Sequence, residues 1–159
     1  RHVSTAELKL SARWVWPVQH QTIPWNQYAL FRRTLTLRDR PRTPVIARVS
    51  ADARYQLYVN GRPLHFGPAR SFPDAYCVDK IDLAPLLHEG ANAICAIVHQ
   101  YGVPTFQTVF RDVAGFLFDC RFDHEGRTID LSTTSEWLCQ FSKAWRRDVA
   151  RMTIQMGFQ

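Results

Sequence analysis

A chain of 159 residues with 46% hydrophobic and 13% aromatic residues can bury one core and is too apolar to be intrinsically disordered. Its net charge of +6 comes from scattered basic residues, without the basic stripe or recognition helix of a nucleic-acid-binding protein, so no nucleic-acid partner is predicted. No apolar run approaches the ~20 residues that cross a bilayer, and no membrane partner is predicted either. Because the chain begins with Arg1 rather than Met, we expect residues to precede it.

The cysteines predict neither a metal site nor a disulfide framework. They are spaced about twenty residues apart with no C-x-x-C pair, whereas zinc sites usually bring their ligands in close pairs. One of them lies in the apolar run 93–98, where a thiol acts as a small hydrophobe. We therefore expect buried free thiols, which favour a reducing compartment such as the cytoplasm. The four residues are Cys77, Cys95, Cys120 and Cys139.

Alternation with a period of two predicts the first strands and a hairpin. Apolar residues at 45, 47, 49 and 51 indicate a strand with one buried face. A second alternating segment, 55–59, runs into Asn60-Gly61, the strongest short hairpin signal because both residues tolerate a positive φ. We expect the return strand at 62–66, with Leu64 and Phe66 pointing inward.

Residues 82–98 predict one short helix followed by a buried strand. Asp82 can cap the helix, Pro85 suits its first turn and Gly90 can close it. The continuous apolar segment 93–98 has the length of a strand that is buried on both faces.

The last third of the chain predicts a second hairpin. Apolar residues at 116, 118, 120 and 122 alternate inward, and the polar turn 123–126 leads into 128–131. Trp137 also alternates with polar neighbours and is expected in the core. Many short strands with a single helix define an all-β chain that folds as an antiparallel β-sandwich.

Four segments resemble, in this order, a known domain. Segment 26–35 resembles the first strand of the β-sandwich domain that precedes the catalytic barrel in bacterial α-L-rhamnosidases. Segment 50–61 is similar to its central hairpin, and Gly67-Pro68-Ala69-Arg70 to its following loop. Segment 79–94 resembles an aspartate, leucine, glycine and asparagine signature that also occurs in the sugar-binding jelly rolls of β-galactosidases. The likeness runs from about Trp14 to Trp137, and the order of the blocks is more specific than any single block.

The resemblance implies a jelly-roll sandwich of the galactose-binding type, forming a single domain over 1–159 with a core at about 26–141. It implies that catalysis takes place in a separate (α/α)6 barrel, which is absent here and would be this domain's partner in the same parent chain. Segment 155–159 resembles the junction through which such proteins continue. The parent is expected to be a glycoside hydrolase, and this fragment an accessory domain; the alternative is a carbohydrate-binding module with its own weak sugar site.

No catalytic residue, metal ligand or cofactor is predicted within the chain itself. Most acidic residues lie in turns or capping positions, away from the paired geometry that glycoside hydrolysis requires. No serine sits in a Gly-x-Ser-x-Gly turn. Some rhamnosidase sandwich domains bind rhamnose through calcium, but segment 69–76 departs from their pattern, and no calcium ligand is carried over.

Four residues are candidates for a sugar site or for an interface with another domain. His99 and Tyr101 follow the predicted buried strand, and Arg70 and Tyr76 could converge on them. Aromatic faces and a few polar groups suit a sugar ring, and the same groups could seal a domain interface. Separately, we expect exposed apolar side chains in the flanking segments, namely Trp14, Trp16, Trp25, Trp145 and Phe158.

Overall fold

The structure is a computed structural model that describes residues 10–18, 25–72, 75–106, 109 and 114–150. These residues form antiparallel strands and one 3₁₀ turn, Ala84–Leu86. None of the helices among them is long and apolar enough to span a membrane. The strands are β1 Gln27–Leu37, β2 Ile46–Asp52, β3 Arg54–Val59, β4 Arg62–Gly67, β5 Asp79–Asp82, β6 Gly90–Gln100, β7 Gly115–Asp119, β8 Arg121–His124, β9 Arg127–Asp130 and β10 Leu138–Phe141.

Two sheets and a ribbon account for these strands. The larger sheet has the order β10-β1-β6-β3-β4, the smaller has the order β5-β2-β7, and β8 pairs with β9. Segment 13–15 extends the smaller sheet, because Val15 exchanges both backbone hydrogen bonds with Phe116 at 3.0 Å. The sequence prediction of an antiparallel β-sandwich is confirmed.

The core lies between the inward faces of the two sheets. On the larger sheet the buried positions alternate along β1, β3 and β6. On the smaller sheet they alternate over residues 46–49 of β2, whereas residues 50–52 and all five residues of β7 are buried. The predicted inward positions 45, 47, 49 and 51 are all buried, as are 116, 118 and 120. Trp137 is 5% exposed and packs edge-on against Phe116, so its predicted place in the core is confirmed.

Both predicted hairpins form, but one inward assignment is wrong. Asn60 and Gly61 have φ values of 51° and 76°, and Glu125 and Gly126 have 49° and 73°, as two-residue turns between twisted strands require. The β3–β4 register shifts between Leu57 and Tyr58. This bulge places Phe66 opposite Gln56, on the outward face, where Phe66 is 65% exposed; Leu64 packs against the core.

Residues 82–100 also differ from expectation in two respects. The helix is a single 3₁₀ turn whose N-cap is Leu83, although Asp82 accepts the Ala84 amide at 3.0 Å. Gly90 does not close this turn; with φ of 88° it begins β6. Strand β6 is central but not buried on both faces, because it alternates between fully and partly buried residues.

The four cysteines are free thiols, as predicted. Their burial differs from expectation, since Cys120 is buried, Cys77 and Cys95 are partly buried and Cys139 is exposed. Cys139 lies on β10, an edge strand of the larger sheet, and one side of this strand pairs with no other strand among the described residues.

Candidate functional site

The candidate residues gather around the corner where β2 passes into β3. Asp52, which ends β2, accepts a hydrogen bond from the Tyr76 hydroxyl at 2.6 Å and from Gln100 Nε2 at 2.9 Å. The Ala53 amide donates to the His99 carbonyl at 3.3 Å. Asp52 is 4% exposed and Gln100 is 0% exposed. A buried carboxylate with donors on two sides therefore holds the 76 segment and the end of β6 together.

Tyr76 lies on the side of this corner that faces the smaller sheet. Trp14 packs against it with ring centroids 4.8 Å apart, and Trp14 also covers Gly115, where an added Cβ would approach the indole to 2.7 Å. The polar atom of Tyr76 is engaged by Asp52. In this arrangement the Tyr76 side chain fastens a loop to the sandwich.

His99 and Tyr101 lie together on the outward face of the larger sheet. Their rings meet edge to face at 4.5 Å. His99 also stacks on Tyr28 at 3.9 Å, and Tyr28 stacks on Trp145 at 4.5 Å, with both pairs within 14° of parallel. The pairing of β1 with β6 places Tyr28 directly opposite His99, so the stack follows from the strand register.

Asn26 fixes both ends of this stack. Its Oδ1 accepts from His99 Nε2 at 2.8 Å, and its Nδ2 donates to the Arg146 carbonyl, next to Trp145, at 3.1 Å. Burial lowers the pKa of His99 to about 4, so the imidazole is neutral at neutral pH. Burial also raises the pKa of Tyr28. The stack is therefore uncharged and has one exposed ring, Trp145.

Arg70 does not take part in the contacts described above. Its side chain is exposed and its guanidinium carbon lies 5.7 Å from the centre of the Phe72 ring. The loop that carries it is tied to the corner through Arg54, which donates to the Pro68 carbonyl at 2.5 Å. The structure thus brings His99 and Tyr101 into contact, links Tyr76 to them through Asp52 and Gln100, and leaves Arg70 apart.

The expected exposure of the flanking apolar residues holds in part. Trp14 is 42% exposed and Trp145 is 41% exposed, whereas Trp16 and Trp25 are partly buried. Phe158 and the segment 155–159 lie outside the described residues. Of the exposed pair, Trp14 packs against Tyr76 and Trp145 against Tyr28.

The geometry at the corner suits structure or contact better than chemistry. The hydroxyl of Tyr76 and the Nε2 of His99 are both used inside the chain. Over the described ranges, no three His, Cys, Asp or Glu side chains are grouped so as to hold a metal ion. The groups near the corner that a partner could contact are the exposed indole rings of Trp14 and Trp145.

Sequence reasoning missed Asn26, Tyr28, Asp52 and Gln100. Alternation along β1 does place Tyr28 on the outward face, but nothing local pairs it with a residue 71 positions away. The buried polar residues carry no motif. Only the register of β1 with β6, and the turn from β2 to β3, bring them to the candidate residues.

The fold and site define a β-sandwich domain with no recognisable catalytic constellation in its described part. No protein-family model matches the sequence, and no curated protein sequence matches it. Several solved structures do match it. A GH78 family rhamnosidase of Bacillus sp. GL1 is 30% identical over 93% of this chain, with a TM-score of 0.81. The chain therefore resembles a domain of an α-L-rhamnosidase, as the sequence blocks predict.

More distant structures agree in fold. An α-L-rhamnosidase from Dictyoglumus thermophilum matches 85% of this chain at 13% identity, with a TM-score of 0.66. A lectin of Pleurotus ostreatus matches 84% of it at 21% identity, with a TM-score of 0.59, and the match takes up 35% of the lectin chain. This chain spans 15% of the Bacillus enzyme and 17% of the Dictyoglumus enzyme. It corresponds in size to one domain of much longer proteins.

Proposed function

We propose that this chain is a non-catalytic accessory domain of an α-L-rhamnosidase-like glycoside hydrolase, which supports or orients a catalytic domain, expected to be an (α/α)6 barrel, in the same longer polypeptide. One observation carries the proposal: 93% of the chain matches the Bacillus sp. GL1 rhamnosidase at 30% identity, yet the match takes up only 15% of that enzyme. The internal use of the polar atoms of Tyr76 and His99 supports a structural role.

A domain replacement in the Bacillus enzyme tests this function. The matched segment is deleted, replaced by this chain, or replaced by the corresponding sandwich of the Pleurotus lectin, which shares the fold at 21% identity. We expect deletion to lower the melting temperature and the hydrolysis of an aryl α-L-rhamnoside, and this chain to restore both. The chain alone should release no rhamnose.

The lectin replacement is the matched control, because it supplies the sandwich fold without a surface related to that of the rhamnosidase domain. Restoration by this chain that is no better than restoration by the lectin sandwich would count against the proposal. Hydrolysis by the isolated chain, lost on substitution of one of its carboxylates, would overturn it.

A carbohydrate-binding module is the second candidate function, and the exposed ring of Trp145 favours it. One face of this indole covers Tyr28 and 41% of the residue is exposed, an arrangement on which a sugar ring can stack. Isothermal titration with L-rhamnose and rhamnose-containing oligosaccharides tests it. Binding that is lost in Trp145→Ala but kept in Trp14→Ala, which removes an indole of matched exposure, would support this function over the first.

A further inference from the structure

Away from the end where Trp145 covers Tyr28, the described chain leaves the outward face of the larger sheet uncovered. Directly opposite residues of paired strands point to the same face, so the register places Phe66, Gln56, Ile97, Leu30 and Gln140 in one row across the five strands. Phe66 is 65% exposed, and Leu138, in the next row, is 61% exposed. We call this surface the outer face.

The smaller sheet is different, because the chain itself covers it. Ser50, which points outward from β2, is fully buried and donates to the Cys77 carbonyl at 2.8 Å. Leu117, on β7, is 4% exposed. The smaller sheet is thus covered by the chain. The larger sheet leaves a patch uncovered, whose area follows from the strand spacing and the rise per residue and is on the order of 300–500 Å². The largest apolar patch on a monomer is commonly of about this size and is often functional.

A groove of about 540 Å³ crosses the outer face over β6, β1 and β10. Its lining includes Leu30, Ile97 and Leu138, with Arg32 among them. Arg32 is exposed, and no carboxylate of the described residues lies within ion-pairing distance of it, whereas its neighbour Arg33 pairs with Glu136. A guanidinium in an apolar groove calls for an anionic partner once that groove is covered.

The charge of the outer face indicates what covers it. None of the outward positions of its five strands, all within the described residues, is Asp or Glu, while Arg32 and Arg54 are basic. A second copy of the chain would present the same positively charged face and no carboxylate for Arg32, which opposes self-association through this face.

We infer that the outer face is the docking surface for the neighbouring domain of the same longer polypeptide, and that this domain contributes apolar side chains and a carboxylate that pairs with Arg32. The inference rests on the proposed function and names the surface through which it acts. Burying the apolar rows supplies the favourable free energy, and the Arg32 pair fixes the orientation of the two domains.

Hydroxyl-radical footprinting tests the inference on the chain alone and on the longer polypeptide in which the proposed function places it. Phe66 and Leu138, 65% and 61% exposed, report on the outer face. Phe72 and Phe106, 58% and 63% exposed and outside that face, are matched controls. We expect oxidation of Phe66 and Leu138 to slow several-fold in the longer polypeptide, with Phe72 and Phe106 unchanged.

A charge reversal sharpens the test. Arg32→Glu should restore the oxidation of Leu138 in the longer polypeptide, while Arg38→Glu, also at an exposed arginine, should not.

Protection of Phe72 or Phe106 in place of Phe66 and Leu138 would overturn the docking face and leave the proposed function standing. Equal oxidation of all four residues in both forms would count against the proposed function itself. Protection of Leu138 in the free chain, on raising its concentration or adding a rhamnose-containing oligosaccharide, would overturn the inference in favour of a second copy or a sugar.

Discussion

Asn60 and Asn92 are joined side chain to side chain: Nδ2 of Asn60 donates to Oδ1 of Asn92 at 2.9 Å. The same Asn60 amide group donates to the Leu86 carbonyl, and its Oδ1 accepts from the Ala93 amide, both at 2.8 Å. Asn92 in turn donates to the carbonyls of His88 and Gly90. The two asparagines therefore lock the β3–β4 turn, the 3₁₀ turn and the start of β6 into one unit.

Replacing Asn92 by aspartate should destabilise the domain by about 2–4 kcal/mol. Asn92 is 2% exposed, and an aspartate there loses both donations and directs a negative oxygen at two carbonyls. Urea unfolding measures the loss. Gln140→Glu makes the same amide-to-acid change at an exposed site on β10 and should cost less than about 0.5 kcal/mol. Equal midpoints for the two variants would show that the asparagine pair is not structural.

His99 should make the domain acid-sensitive between about pH 6.5 and pH 4. Burial lowers its pKa from 6.5 to about 4, so in this window the unfolded chain binds a proton that the native chain does not. Stability is complete above pH 6.5 and falls as the pH falls, by up to about 3 kcal/mol at pH 4. Unfolding free energies from pH 7.5 to 4.5 test this.

His99→Gln should flatten that dependence, since the titrating group is gone, while lowering stability at pH 7.5 through the weakened stack on Tyr28. His88→Gln, which makes the same substitution at an exposed histidine outside the stack, is the control. A pH slope that survives in His99→Gln would assign the acid sensitivity to other groups.

Gly67→Ala should destabilise the domain by about 2 kcal/mol by breaking a buried contact. The Tyr55 hydroxyl donates to Asp79 Oδ2 at 2.6 Å, and a Cβ on residue 67 would lie 2.1 Å from the same oxygen. In a Tyr55→Phe background the cost should be smaller, because the hydrogen bond is already lost. Gly126→Ala is the control, since its open surroundings leave only the strain of φ 73°. Additive costs in the double variant would contradict this account.

The cysteines should divide sharply in their reaction with a thiol reagent. Cys120 is fully buried, and burial raises its pKa to about 12, so it should react only as fast as the domain unfolds. Cys139 is exposed and should react in the folded state. The fast labelling that Cys139 accounts for should be absent from Cys139→Ser, as judged by mass spectrometry. Rapid modification of Cys120 under native conditions would show that β7 opens locally.

Short-range patterns in the sequence predict the local parts of this fold. Alternation along β2, β3 and β7 predicted the buried faces, and Asn60-Gly61 predicted the tight hairpin. Both signals act between near neighbours, through side-chain period and through the energy of a positive φ. The order of the four motif blocks likewise predicts the resemblance to α-L-rhamnosidases.

The way in which those parts meet depends on long-range pairing that short-range patterns do not specify. Alternation carried through β4 predicts that Phe66 points inward, but the bulge opposite Leu57 and Tyr58 reverses the face. A shift of one residue in register costs little locally. Tyr28 reaches His99 only through the register of β1 against β6, and Asp52 reaches Tyr76 only through the β2–β3 corner. Such pairings depend on the shared burial of residues far apart in the chain, and a sequence pattern of short range carries no information about them.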